Sequence, residues 1–332
     1  MFFRSSIITA DNWTATHRKG ASLHHAWPFF LFLLFFAGCA GPRLAQIRQQ
    51  MTGIPARVNL RNIPSYVQAE YQCGPAALAM VLSWSGSPTT PEDLTSRVYN
   101  PARKGSLQPA LVGATRRSGR IAYPLSGTRA LLREVAAGHP AIVLLNLGLS
   151  WYPKWHYAVV TGYDLTDGFI IVHSGKKAPE FLPFRVFENT WARSRYWGLL
   201  VLRPGDLPAV VEERPYLEAV LGLEKARRWH GAVEAYRAAL GRWPGSLPAL
   251  MGLGNSYYGM GELPGAEKAF RTAARLHPDS GAALNNLAQV LWEQGRCKEA
   301  LDAARKAVSL GGPLTETFQK TLNEIQSGKP SP

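Results

Sequence analysis

Apolar residues recur along this chain in three different rhythms. From 26 to 37 they run unbroken, as Ala-Trp-Pro-Phe-Phe-Leu-Phe-Leu-Leu-Phe-Phe-Ala. Between 58 and 203 the pattern is mixed. Helical spacing predicts helices over 75–85, 91–99, 107–118 and 128–137, and short runs rich in β-branched residues predict strands over 141–147, 157–163, 169–173 and 198–202. Helices first and an antiparallel sheet afterwards is an α+β order. From 213 onward the chain repeats itself every 34 residues. Leu250, Leu253, Gly254, Tyr257, Gly261, Ala266, Phe270, Ala273 and Pro278 form the middle copy, with Tyr216, Ala219, Leu223, Ala232, Tyr236, Ala239 and Pro244 one period earlier and Leu284, Leu287, Ala288, Leu291, Gly295, Ala300, Ala304 and Ala307 one period later.

In such a unit small residues let two antiparallel helices approach, large ones fill the neighbouring groove, and proline stops the second helix. The unit resembles the tetratricopeptide repeat. That implies an all-α solenoid of three repeats over 213–314, with a capping helix and tail over 315–332. A stack of this kind holds a protein partner and has no chemistry of its own. Trp229, Trp243 and Trp292 read either as lining the concave face that holds a partner or as core packing, and Cys297 as a bystander without a histidine partner nearby.

The apolar run changes the picture at the other end. A membrane-crossing helix needs roughly 20 residues, so a dozen, after a basic stretch containing Arg4, Arg18 and Lys19, has the length of a signal-peptide core. It ends in Phe36-Ala37-Gly38-Cys39-Ala40, which resembles the bacterial lipobox although Phe36 stands where Leu is usual. The resemblance implies a signal peptide over 1–38, a lipid anchor on Cys39, a linker over 39–57, and an outer-membrane lipoprotein facing the periplasm. With 3 cysteines in 332 residues a disulfide scaffold is excluded, and no Cys/His spacing suits zinc. No cofactor is expected. The net charge of +14 comes without a basic run or a nucleic-acid fold signature, so nucleic acid is not an expected partner.

The chemistry lies in the mixed segment. Cys73 stands directly before Gly74-Pro75, at the start of a predicted helix. Exposed N–H groups and the helix dipole there favour thiolate over thiol. Trp155-His156-Tyr157 opens an apolar strand that ends in Gly162-Tyr163-Asp164. A helix-terminal cysteine paired with a strand-borne histidine is a nucleophile with its base. Trp151, Tyr152, Trp155 and Tyr157 flank the histidine, either as a substrate-side wall or as packing.

The Gln…Cys-Gly-Pro-Ala segment, the His-apolar-Gly-Tyr-Asp strand and the helices between them, over roughly 62–203, resemble the bacteriocin-processing, double-glycine type of cysteine peptidase, a papain-like fold. The free-standing C39-like branch, exported and fused to tetratricopeptide repeats, is the nearer likeness. It implies a papain-like domain over 58–206, with Cys73 as nucleophile, His156 as general base and Gln68 as oxyanion donor. Members often place the glutamine six residues before the cysteine, where Val67 stands here; Gln72 is the alternative donor. The family's third residue is Asp or Asn just after the next strand, and Ser174, or His173 beside it, occupies that slot. Asp164 is eight residues along the histidine strand, about 26 Å when extended, too far to orient the ring.

The expectation is an exported, membrane-tethered cysteine peptidase that hydrolyses peptide bonds and whose repeats recruit its peptide or protein substrate or a partner. The alternative is a catalytically silent module that binds peptides and assembles complexes in the cell envelope.

Overall fold

The computed structural model describes residues 42–328. The predicted signal segment, Cys39 and the last four residues lie outside the described residues. Helix α1 (Pro42–Gln50) leads to strand β1 (Arg57–Asn59), and an extended stretch leads on to α2 (Cys73–Trp84). Then come α3 (Pro91–Val98), a ribbon of β2 (Tyr99–Asn100) and β3 (Gly105–Ser106), α4 (Gln108–Arg117), β4 (Ile121–Leu125) and α5 (Thr128–Ala136). Strands β5 (Ala141–Asn146), β6 (Trp155–Asp164), β7 (Phe169–His173) and β8 (Glu180–Pro183) follow in succession, before α6 (Phe184–Ala192) and β9 (Gly198–Leu202).

Seven strands form one antiparallel sheet in the order β4-β9-β5-β6-β7-β8, with β1 on β6. Period-two alternation gives the sheet two apolar faces. Ile142, Leu144, Tyr157 and Val159 face α2 and α4 through Leu78, Leu82 and Leu111. Val143, Leu145, Ala158 and Val160 share the other core with Leu131 of α5 and with Phe187 and Trp191 of α6.

The four predicted helices and four predicted strands are all present, with small shifts at their ends. Helix α2 starts at Cys73 itself, two residues before the expected start. Strands β4 and β8, both at edges of the sheet, were not expected. Pro124 inside β4 breaks the strand pattern, and only an edge accepts it. Residues of β8 alternate between half-buried and exposed and carry little apolar signal.

After β9 the chain is all helix. Helices α7 (Glu213–Lys225), α9 (Leu247–Gly259) and α11 (Gly281–Glu293) alternate with α8 (Trp229–Arg242), α10 (Leu263–Leu276) and α12 (Cys297–Leu310). The starts at 213, 247 and 281, and at 229, 263 and 297, keep a spacing of 34. Small residues serve the close approach directly: a methyl group added at Gly254 would overlap the ring of Phe270. Helix α13 (Thr315–Ser327) closes the stack, with Phe318 against Leu284 and Ala307.

The sheet and the first repeat share a core. Tyr216, Val220 and Leu223 of α7 are buried together with Ile121, Tyr123 and Leu202 of β4 and β9. The connection between them is held from the sheet side as well. The fully buried Glu134 carboxylate accepts the backbone N–H groups of Ala209 at 3.0 Å and Val210 at 2.8 Å, and lies 2.8 Å from His139 Nδ1.

Candidate active site

Helix α2 has no side-chain cap, and Tyr71, two residues before its start, takes a left-handed conformation (φ 61°) that turns the chain into it. This places Cys73 in the first turn, where free N–H groups converge. The backbone N–H groups of Tyr157, Gly74 and Cys73 itself lie near its sulfur and favour its ionised form.

Sheet geometry explains why the Tyr157 N–H is free for this. Leu144 pairs with Tyr157 across β5 and β6, but its own N–H donates to Trp197 O on the β9 side. The pair is therefore non-hydrogen-bonded, and the Tyr157 N–H points away from β5. On that side β7 pairs with β6 no further than His173↔Val159. The ladder stops short, and the thiol lies near the donor that β7 leaves unused. His156 is the residue just before Tyr157 on the same strand.

The imidazole is fixed from its far nitrogen. His156 Nε2 lies 2.7 Å from Ser174 Oγ, the residue just beyond the end of β7. That leaves Nδ1 as the nitrogen for proton exchange. Of the two residues the sequence offered for the third position, Ser174 is the one that meets the ring. His173 lies beside Val159 on the opposite face of the sheet, and its Nδ1 is buried without a partner among the described residues. Asp164 is bound at the other end of β6, 2.8 Å from Arg57.

Gln68 also reaches this end of the sheet. Its N–H donates to Gly175 O at 3.2 Å, and its side chain lies across Gly175, whose φ of 83° and missing Cβ permit the contact. Gln72, the alternative donor, is turned toward α3, where its Oε1 accepts from Thr95 Oγ1 at 3.1 Å. His156, Ser174 and Gln68 thus meet at the end of β7, and Cys73 stands at the start of α2 near Tyr157, while Gln72, His173 and Asp164 are held elsewhere.

One electrostatic expectation is corrected. Helix-terminal N–H groups do pull the Cys73 thiol toward ionisation, but burial is the larger effect and pushes it above the ordinary value. Burial likewise lowers His156, against an opposing effect of the Glu180 charge. Desolvation thus disfavours the charged form of each group.

The hairpin that leads into His156 is braced and apolar. Asn146 Oδ1 accepts from the N–H groups of Gly148 and Lys154, and Arg193 Nη1 donates to Gly148 O. At its tip Trp151 and Tyr152 are 80% and 72% exposed, whereas Tyr157 is buried, edge-on to Trp197 at 5.7 Å. Trp197 in turn lines a cavity of about 370 Å³ with Gln108, Pro124, Leu125, Ser126 and Arg195.

Residues 60–198 match the model of the Peptidase C39 like family. The chain carries a C39-like peptidase domain. Residues 217–258 and 251–313 match the tetratricopeptide repeat model, so a repeat solenoid follows it. Among solved structures, a putative C39-like peptidase from Bacillus anthracis is similar at 18% identity and a TM-score of 0.38, over 44% of this chain and 97% of that one. The Yersinia enterocolitica type III secretion chaperone SycD, in complex with a peptide of the translocator YopD, is similar at 16% identity and a TM-score of 0.33, over 35% of this chain and 92% of that one. The search of curated proteins finds no match.

Proposed function

We propose that this C39-like domain is a working cysteine peptidase. Cys73 Sγ attacks the carbonyl carbon of a peptide bond while His156 Nδ1 takes the thiol proton. The same nitrogen then returns that proton to the leaving amine, and water releases the acyl group by the reverse use of the pair. The Cys73 N–H and the Gln68 side-chain amide receive the oxyanion, a kind of donor worth about 10²–10³ in rate. The observations that support this best are a thiol at the start of α2 close to the Tyr157 N–H, and an imidazole on the preceding residue of that strand whose Nε2 is fixed by Ser174. The cavity beside Trp197 is of a size to take a substrate side chain.

The repeats recruit the substrate or a protein partner, and the core they share with the sheet fixes them relative to the site. The apolar run that ends at Cys39 supports a lipid anchor in the bacterial envelope, with the domain facing the periplasm. A second reading, a silent peptide-binding module, is favoured by the raised thiol and by a hydroxyl where a carboxylate would serve the ring better.

Digestion of a random peptide library separates the two. The peptidase reading predicts new peptide termini, detected by mass spectrometry, that Cys73→Ala abolishes. Peptides retained equally by both proteins, with no new termini, would establish the binding module.

A further inference from the structure

The end of the sheet that holds His156 also holds a carboxylate oxygen with no partner among the described residues. Glu180 opens β8 and pairs with Val172 of β7. Val172 faces the core that contains Ala158 and Val160. By the alternation of side chains, Glu180, Ser174 (two residues past Val172) and His156 (two before Ala158) lie on that same face. Glu180 Oε1 is buried and has no hydrogen-bond partner among the described residues, while Oε2 lies 3.2 Å from Lys176 Nζ. Lys176 is 71% exposed, so solvent screens that ion pair. Just past the end of the neighbouring strand β7, the Ser174 hydroxyl is already engaged with His156 Nε2 at 2.7 Å. When His156 is an imidazolium, its Nε2–H donates and Ser174 Oγ accepts. The hydroxyl hydrogen is then free to be given on.

We propose that Glu180 is the positioning residue of this site, acting through Ser174 to supply the negative charge that the third position lacks. The inference rests on the peptidase reading for its purpose. In the attack the proton leaves Cys73 Sγ for His156 Nδ1, and the Nε2 proton stays on the ring in its bond to Ser174. The relay holds the ring with Nδ1 toward the sulfur and favours the cation formed there. The other charged or titratable groups on the elements packed against this strand end are Lys154 on its own strand, Cys73 at the start of α2, Lys176 on the turn before β8, and His173 on the far face of β7. Lys154 opposes the cation, and Glu180 favours it. Nothing in the sequence marks Glu180, because β8 is a short edge strand whose partner in the sheet is visible only once the fold is known.

The test is an NMR titration of His156 in the full chain with isotope-labelled histidine side chains, the His156 signal being identified by its loss in His156→Ala. Glu180→Gln is expected to lower the His156 pKa by about one unit, as loss of a nearby opposite charge does. Glu180→Asp, which keeps the charge, is expected to restore most of that shift. In a Ser174→Ala background the effect of Glu180→Gln should fall to less than half. Lys176→Gln, which frees Glu180 from its exposed partner, should raise the His156 pKa and provides a second reading if Glu180→Gln does not fold. A His156 titration indifferent to both Glu180→Gln and Lys176→Gln would overturn the proposal. The titration needs no substrate, so a chain that shows these shifts but cleaves no peptide fails only the peptidase reading. A chain that cleaves peptides without the shifts fails only the role given to Glu180.

Discussion

Removing either the sulfur or the imidazole is expected to cost nearly all hydrolysis, and removing both is expected to cost no more than removing one. Cys73→Ala and His156→Ala should each lower kcat by a factor on the order of 10⁵–10⁶, and the double variant should match them, because nucleophile and base act as a unit. The structural basis is their dependence on one piece of strand. The sulfur lies near the Tyr157 N–H, one peptide bond from the residue that carries the imidazole. Without the imidazole the thiol has no acceptor for its proton, and burial opposes its ionisation. Without the sulfur the imidazole has nothing to activate. Purified variants, compared by steady-state cleavage of a peptide from the library digest, check this. A double variant a further 10³-fold slower than either single one would mean that the two residues act independently.

The second large effect is on stability. Glu134 is fully buried and ties α5 to the connection after β9 by accepting the N–H groups of Ala209 and Val210. Glu134→Ala leaves two backbone donors without their acceptor and His139 without its partner. Leaving a buried donor without its acceptor costs about 1–3 kcal/mol for each donor. The loss should fall on the coupling between the sheet and the repeats, since the connection sits where α7 joins the core that contains Tyr123 and Leu202. Chemical unfolding of the wild type is expected as one cooperative transition, and of Glu134→Ala at lower denaturant with the repeats and the sheet separating into two steps. An unchanged single transition would mean that the shared apolar core alone joins the two parts.

Much of this architecture could be read before the structure was seen, and the unread parts share a physical cause. The repeats were legible to the residue because their contacts are local: each helix packs on one a few residues away, so the 34-residue period carries the fold directly. The central strands were legible because burial on both faces makes them continuous apolar runs, as in Ala141–Asn146. Edge strands lack that constraint, which is why Pro124 in β4 and the half-exposed Glu180–Pro183 concealed themselves. Cys73 and His156 stood out because a cysteine before Gly-Pro and a histidine opening an apolar strand have few structural reasons to be there. The choice between Ser174 and His173 could not be made from sequence, since it depends on which face of β7 each occupies. The state of the thiol was misjudged for a related reason. The helix start is visible along the chain and favours ionisation, whereas the burial that outweighs it comes from distant elements packing over the sulfur.

The pairing of Cys73 with His156 is measured most directly by the rate of Cys73 alkylation with iodoacetamide across pH, read by mass spectrometry of the Cys73 peptide in the full chain. Burial lowers the imidazole and raises the thiol, so a wide interval separates their two titrations. Within that interval a fixed small fraction of the pair is thiolate and imidazolium, formed by moving the proton from Sγ to Nδ1. The wild type is therefore expected to show a rate plateau that begins below the ordinary imidazole range, followed by a second rise above the ordinary thiol range. In His156→Ala the plateau should vanish and only the upper rise should remain. A single rise at the same pH in both proteins would contradict the pairing and leave the domain as a peptide-binding module.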